Sequence, residues 1–335
     1  MKSLLSILHH ATPSRPLRDG VPASCVVLPS VRQPGALTVL DGLAQRLPAV
    51  DRAEWQARMQ TGEVLDERGQ PVAALTPYRN GQRLYYWRSL PDEAPVPFAH
   101  QVLFADAHLV VADKPHFLPV TPAGRHVQHT LLVRLQRELG LPDLSPVHRI
   151  DRETAGLVVL AVRPQDRNAY HTLFRERQVT KVYEALAPLP ATGVACPQER
   201  RSRLEEDPAA FFRMREVAGQ PNSETHIELL RPIESPGNGN SRNSGVGLYR
   251  LGPVTGKRHQ LRVHMAALGL PLLGDAFYPS VRRGPGEADD FTDPLQLLAR
   301  TLAFTDPITG EARRFDSQRH LSHPQATQAA DTHKT

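Results

Sequence analysis

A run of six apolar residues near the middle of the chain, residues 157–162 (LVVLAV), constrains the fold most. Its length and its β-branched valines predict a buried strand. The nine residues before it (148–156, HRIDRETAG) are mostly polar. A buried strand is rigid and holds the loop that leads into it, which suits reactive side chains. We therefore expect the functional site at this junction.

Asp151 is the residue in this loop that most needs an explanation. Arg149 and Arg152 flank it closely, and His148 is nearby. Neighbouring positive charge keeps a carboxylate ionised even in a partly dry site. An ionised aspartate can act as a nucleophile, a general base or a ligand. From local spacing alone, a solvated turn with structural ion pairs is an equal alternative, because such networks also perturb carboxylates.

The loop resembles the signature of the RluA-type pseudouridine synthases, in which His-Arg-Leu-Asp-Arg-x-Thr-Ser-Gly precedes a hydrophobic strand. Ile150 and Ala155 depart from that pattern. Two more segments are similar to family motifs. Residues 181–185 (KVYEA) match Lys-x-Tyr-x-Ala, and residues 256–264 (GKRHQLRVH) match Gly-Arg-x-His-Gln-Ile-Arg-x-His except at Lys257 and at Leu261, which stands in the Ile position. Lysine keeps the charge of the usual arginine but loses its bidentate geometry. Lys114 followed by proline also matches.

The resemblance implies isomerisation of uridine to pseudouridine in RNA, without a redox step, a metal or a nucleotide cofactor. It implies that Asp151, Tyr183 and Arg262 are catalytic. Asp151 would attack the ribose or the base, or remove a sugar proton, and Arg262 would pair with it. Tyr183 would stack on the uracil. We assign the following residues to substrate binding: His148, Arg149, Arg152, Leu261, Lys114 and Arg258. Arg149 is expected to fill the gap left by the flipped base, and Leu261 to pack in the base pocket.

The spacing of the last motif also predicts a helix that starts at an N-cap, Thr255, and runs to about residue 268. Arg258, Leu261 and Arg262 would then share one face. Two arginines on an otherwise apolar stripe are unfavourable unless they meet anions. This face is therefore a candidate partner for Asp151.

The fold class that the resemblance implies is α+β, with a mixed, largely antiparallel sheet and flanking helices. We assign residues 98–317 to the catalytic domain and residues 318–335 to a disordered tail. Residues 1–97 form an N-terminal extension, in which the pattern predicts two helices, the second at 52–60, and a small β unit. This extension resembles a degenerate small RNA-binding module, and a structural appendage packed on the main domain is an equal alternative.

Composition narrows the setting of the protein. The net charge of +5 only weakly suggests a nucleic-acid partner. Cys25 and Cys196 do not form a disulfide framework or a zinc site, which fits a reducing compartment. An apolar N-terminal patch ends at His9, too early for a signal peptide, and no run reaches the roughly 20 apolar residues of a membrane span. We expect a cytoplasmic monomer.

Five arginines within residues 200–215 predict either a solvated face or a phosphate-contacting surface.

Two alternative functions for the chain are a phosphotransferase and a catalytically silent RNA-binding protein. A phosphotransferase would carry a His-Arg-Asp loop, but here Ile150 separates Arg149 from Asp151, and no glycine-rich loop or Asp-Phe-Gly is present. A catalytically silent RNA-binding protein would be favoured if the aspartate, tyrosine or arginine were missing. All three are present. The RNA substrate stays open: 23S ribosomal RNA, transfer RNA, or a stem-loop shared by both.

Overall fold

The computed structural model describes residues 16–18, 21–31, 37–87, 93–124, 126–190, 198–233, 245–284 and 286–322. Cys196 and residues 323–335 lie outside these ranges. Among the described helices, none combines the length and the apolar character that crossing a membrane requires.

The N-terminal region folds as two helices against a small sheet. The helices are α1 (Val39–Arg46) and α2 (Arg52–Gln60). The strands, in chain order, are β1 (Leu17–Arg18), β2 (Val21–Pro22), β3 (Ser24–Val27), β4 (Val64–Leu65) and β5 (Arg83–Tyr86). Strands β3, β5 and β4 form one sheet in that order, and β1 pairs with β2. Thr38 and Asp41 form a capping box on α1, and Asp51 caps α2, so short polar side chains fix both helix starts. Trp55 is fully buried in this core.

A second sheet of eleven strands makes up most of the remaining structure. Its strands are β6 (Gln101–Ala105), β7 (Leu109–Lys114), β8 (Ser145–Pro146), β9 (Ala155–Ala161), β10 (Thr180–Pro188), β11 (Gln198–Glu206), β12 (Met214–Val217), β13 (Ser223–Ile233), β14 (Val246–Pro253), β15 (Leu297–Thr305) and β16 (Ala312–Asp316). The order is β12-β11-β13-β14-β10-β15-β9-β7-β6, with β16 on β15 and β8 on β9. In this sheet the β9–β15 pair is parallel and the other described pairs are antiparallel. The predicted α+β class with a mixed, largely antiparallel sheet is confirmed.

Three helices accompany this sheet: α3 (Leu131–Leu139), α4 (Arg167–Arg175) and α5 (Gln260–Ala267). Thr130 caps the start of α3, and Gly140 ends it in the left-handed conformation. A 3₁₀ turn, Pro164–Asp166, leads into α4. On one face of the sheet, Leu131 and Leu135 of α3 pack against Val158 of β9; on the other, Tyr170 and Leu173 of α4 pack against Val159. All seven residues of β9 are buried, as the apolar run predicted.

The predicted start of α5 is wrong. Thr255 does not cap the helix, because its hydroxyl donates to Gln260 Oε1 and accepts from the backbone N–H of Glu224 on β13. The N-cap position is instead His259, in the left-handed conformation at φ 52° and ψ 16°. Arg258 therefore precedes the helix and does not share a helical face with Arg262.

The C-terminal part of the described chain is anchored to β7. The Ser317 hydroxyl and the backbone N–H of Gln318 donate to the buried carboxylate of Asp113. Arg319 donates to the backbone oxygen of Ala99. Gln318 and Arg319, at the start of the predicted disordered tail, thus contact β7. Residues 323–335 of that tail lie outside the described residues.

Candidate active site

Three distant segments meet at one pocket of about 110 Å³. Asp151 lies in the loop between β8 and β9, Tyr183 lies on β10, and α5 contributes Leu261. Arg149, an exposed residue, stands at the pocket's edge. The remaining lining residues are Ile150, Thr154, Lys181, Pro253, Thr255, Gly256, Lys257, His259, Gln260 and Leu297. These segments are far apart in the sequence, but β10, β15 and β9 are neighbours in the sheet and bring them side by side.

Arg262 lies behind Asp151 and is 1% exposed. Its Nη1 is 3.5 Å from Asp151 Oδ2, so the predicted ion pair is present. The other two nitrogens, Nε and Nη2, donate to Asp275 at 2.8 and 2.7 Å. Asp275 is 2% exposed and also accepts from the backbone N–H of Phe277 and Tyr278. Asp275, to which the sequence analysis gave no role, is thus the principal partner of the arginine.

His259 is a second neighbour of Asp151 that the sequence analysis gave no role. Its Nε2 is 3.9 Å from Asp151 Oδ2. Burial by itself would raise the pKa of Asp151, but His259, Arg262 and Lys114 more than offset it, so the pKa is lowered. Asp151 is therefore ionised at neutral pH. The first histidine of the third family motif was the available signal for this residue.

Tyr183 lines the pocket from β10. Lys181, two residues earlier on the same strand, points to the same side and also lines the pocket. The pairing of β10 with β15 shifts by one residue between Val182 and Tyr183. Burial raises the pKa of Tyr183, and the charge of Asp151 adds to the effect, so the hydroxyl keeps its proton. Leu261 and Leu297 supply apolar surface to the same pocket. A flat ring beside apolar walls suits a planar base.

Two of the predicted substrate-binding residues lie beneath the loop that carries Asp151, outside the pocket. Lys114 is fully buried, and its Nζ donates to the backbone oxygens of Pro115 and Arg152, each at 3.0 Å. Burial lowers the pKa of Lys114 to about 7. His148 accepts from the backbone N–H of Val159 and stacks on Phe174 at 4.4 Å. Both side chains are committed to supporting the loop.

The other two, Arg152 and Arg258, line a neighbouring cavity of about 360 Å³. Arg152 makes a bidentate pair with Asp289, at 2.8 Å for each contact. Arg258 is largely exposed and donates to the backbone oxygen of Phe211 at 3.1 Å. The structure thus brings Asp151, Tyr183, Leu261 and Arg149 together, with Arg262 behind them, and places the other four predicted residues around this group.

Much of the arginine-rich segment, residues 200–215, is engaged in ion pairs on β11 and its neighbours. Arg200 pairs with Glu216, Arg201 with Glu199, and Arg203 with Glu205. Within the described chain, one cluster has ligand-like spacing for a metal, formed by Glu199, Glu224 and His226. The Nε atom of Arg201 lies 2.5 Å from Glu199 and 3.2 Å from Glu224, so an arginine already forms ion pairs with both carboxylates.

Comparisons of the sequence and the fold with known proteins point to one family. Residues 108–267 match the family described as RNA pseudouridylate synthase. An uncharacterized RNA pseudouridine synthase of Synechocystis is 31% identical over 74% of this chain and 80% of its own length. The dual-specificity RNA pseudouridine synthase RluA of Escherichia coli K12 is 33% identical over 64% of this chain and 90% of its own length. The solved human RNA pseudouridylate synthase domain containing 1 has the same fold, with a TM-score of 0.51 at 21% identity, covering 71% of this chain and 96% of that one.

The fold and the pocket therefore define an RNA-modifying isomerase. The chain belongs to the RluA-type pseudouridine synthase family, whose members convert uridine to pseudouridine.

Proposed function

We propose that this enzyme isomerises specific uridines in structured RNA, with Asp151 as the catalytic carboxylate. One observation carries the proposal: an ionised aspartate faces a pocket that also presents Tyr183 and Leu261. Uridine inside a stem is out of reach, so the target base must leave its stack to enter such a pocket. Arg149 would occupy the space that the base vacates, and its exposed position at the pocket supports this role.

The reaction exchanges one bond for another. The bond from ribose C1′ to uracil N1 breaks, the base turns, and C5 joins C1′. N1 gains a proton and C5 loses one. Attack on the ribose, attack on the base and removal of a sugar proton all start from an ionised carboxylate oxygen, and Asp151 supplies it. Tyr183 stacks on the uracil and limits how far it can move while it is detached.

The substrate we propose is a stem-loop of ribosomal RNA, 23S in particular, or of transfer RNA. The Escherichia coli relative is named a dual-specificity RNA pseudouridine synthase, which supports two classes of RNA as candidates. We further propose that the enzyme acts as a monomer in the cytoplasm. Mapping pseudouridines in ribosomal and transfer RNA from a strain that lacks the protein would identify the target uridines by their disappearance.

The test of the catalytic role is Asp151→Asn. Asparagine keeps the shape of the side chain but cannot act as an ionised carboxylate, so tritium release from RNA labelled at uridine C5 should stop. RNA binding, measured by filter retention, should change little, because phosphate and stacking contacts supply most of it. Asp51→Asn is the matched control, because asparagine caps a helix as well as aspartate does.

The alternative is a catalytically silent RNA-binding protein. It predicts that the unaltered protein binds RNA and releases no tritium. Wild-type tritium release from Asp151→Asn would instead move catalysis to a different residue and remove the mechanism proposed here.

A further inference from the structure

We propose that His259 is a positioning residue for Asp151: a neutral imidazole whose single proton is held on Nε2, facing the carboxylate, by the hydroxyl of Tyr278. The inference rests on the catalytic role proposed above for Asp151.

The backbone at His259 is unusual and holds the ring in place. His259 adopts the left-handed conformation, which disfavours most side chains by roughly 1–2 kcal/mol. Its ring is buried, with Phe277 at 5.9 Å and Tyr278 at 5.7 Å between ring centroids. One ring nitrogen points at a hydroxyl and the other at a carboxylate: Nδ1 is 2.9 Å from Tyr278 Oη, and Nε2 is 3.9 Å from Asp151 Oδ2.

The protons around Tyr278 Oη can be counted. The backbone N–H of Met214 donates to this oxygen at 2.7 Å. Two acceptors compete for the one hydroxyl proton: His259 Nδ1 at 2.9 Å and the backbone oxygen of Met214 at 3.1 Å. If the hydroxyl donates to Nδ1, the imidazole proton must lie on Nε2. If it donates to Met214, Nδ1 carries the proton and Nε2 is bare.

The charge on Asp151 decides between the two patterns. A bare Nε2 would direct its lone pair at an anionic oxygen, which is repulsive in a buried site. An Nε2–H directs a positive dipole there instead. Burial lowers the pKa of His259 although Asp151 opposes the shift, so the ring is neutral and has one proton to place. The geometry therefore favours one chain of donors: the backbone N–H of Met214 donates to Tyr278 Oη, the Tyr278 hydroxyl donates to His259 Nδ1, and His259 Nε2–H faces Asp151.

The consequence concerns which carboxylate oxygen reacts. Arg262 and His259 both approach Oδ2 of Asp151. Among the described residues, no hydrogen bond or ion pair involves Oδ1. With Oδ2 oriented by two donors, Oδ1 is the oxygen left to meet the nucleotide. Contacts of this kind often lengthen in the empty enzyme and tighten when substrate binds.

Two substitutions of His259 distinguish the contributions of its two ring nitrogens. His259→Asn suits the left-handed backbone and places an amide near the Nδ1 position, where it keeps Tyr278 but does not reach Asp151. His259→Gln extends an amide to about the Nε2 position. We expect kcat for tritium release to fall about tenfold or more in His259→Asn, with KM for RNA unchanged, and to be partly restored in His259→Gln. Tyr278→Phe, which frees the proton's position, should also lower kcat and leave KM unchanged.

A measurement independent of activity completes the test. Side-chain ¹⁵N NMR of the wild-type protein, with the His259 signals assigned by their absence from His259→Asn, reports which nitrogen is protonated. A proton on Nε2 supports the proposal, and loss of that preference in Tyr278→Phe supports it further. A proton on Nδ1, or equal kcat in the asparagine and glutamine variants, overturns it. If Asp151→Asn stays active, the proposed function fails instead, whatever the imidazole proton does.

Discussion

The guanidinium of Arg262 lies closer to Asp275 than to Asp151. Its contacts with Asp275 are 2.7 and 2.8 Å long, whereas its contact with Asp151 is 3.5 Å. The same guanidinium stands 5.0 Å from the ring centroid of Phe277 and 5.3 Å from that of Tyr278. Arg262 is therefore fixed and neutralised without Asp151. Asp151 stays ionised beside it, and its carboxylate is not tied up in a short bidentate pair.

Asp275→Asn should destabilise the protein by about 3–5 kcal/mol, because it breaks a buried ion pair and leaves Arg262 without its main partner. Asp151→Asn should lower the free energy of unfolding by about 1 kcal/mol or less, because Arg262 keeps Asp275. Urea unfolding of the two variants beside the wild-type protein measures both values. The reverse order of stability would show that Asp151, not Asp275, anchors the arginine.

Gly156→Ala should be strongly destabilising. Gly156 has φ 110°, and a Cβ atom there would lie 2.3 Å from the backbone oxygen of Ala299, where β15 runs parallel to β9. The backbone of a central strand cannot give way cheaply, so we expect a loss of roughly 3 kcal/mol or more. Gly140→Ala is the matched control: it also has positive φ, but its Cβ meets nothing within 4 Å, and roughly 1–2 kcal/mol is expected. Equal melting temperatures for the two variants would contradict this.

Lys114 should give the protein a stability that rises with pH. Its pKa is lowered from 10.5 to about 7 in the fold, so between these values the unfolded chain binds more protons than the folded one. Stability then increases with pH across this window, by at most about 1.4 kcal/mol per pH unit. Lys114→Met lacks this contribution. Urea unfolding at pH 7 and pH 9 should show that the free energy of unfolding of the wild-type protein rises relative to that of the variant. If the difference between the two proteins is the same at both pH values, the pKa of Lys114 is not lowered.

Arg258→Ala should weaken RNA binding and lower the magnitude of the salt slope by about 0.7–0.9, as expected when one phosphate contact is lost. Arg258 is exposed beside the pocket, and among the described residues its one ion pair is a 3.7 Å contact with the exposed Glu206, which a phosphate can replace. Arg200→Ala is the control, because Arg200 donates through both Nε and Nη2 to the half-buried Glu216 and should leave the slope unchanged. Filter binding across a salt series measures both. If only Arg200→Ala changes the slope, the RNA path lies along β11.

Local signals in the sequence were enough for much of the fold. Helix α2 has the bounds that the pattern predicted, because Asp51 is a strong cap and Trp55 defines a buried side. The motifs also predicted that Arg262 pairs with Asp151, and the two side chains lie 3.5 Å apart. The start of α5 was misplaced, because the hydroxyl of Thr255 is taken by β13, a partner far away in sequence.

The missing parts of the site depend on contacts that no local pattern contains. Asp275 and His259 contact Arg262 and Asp151 only because α5 and the segments on either side of it fold against the loop that carries Asp151. Strand β15, Leu297–Thr305, comes near the end of the described chain and yet lies in the middle of the sheet, between β9 and β10. Apolar content predicts that a strand is buried, but it does not predict which neighbours the strand has.

The position of β15 has a consequence for synthesis of the chain on the ribosome. Strands β9 and β10 emerge more than a hundred residues before the strand that joins them, Leu297–Thr305. Until that strand arrives, each of the two carries an open edge of unpaired backbone groups, which is the feature that recruits foreign strands. The nascent enzyme thus cannot hold Asp151 beside Tyr183 until nearly the whole described chain has been made. During that interval, its central sheet is the part that most needs a chaperone's protection.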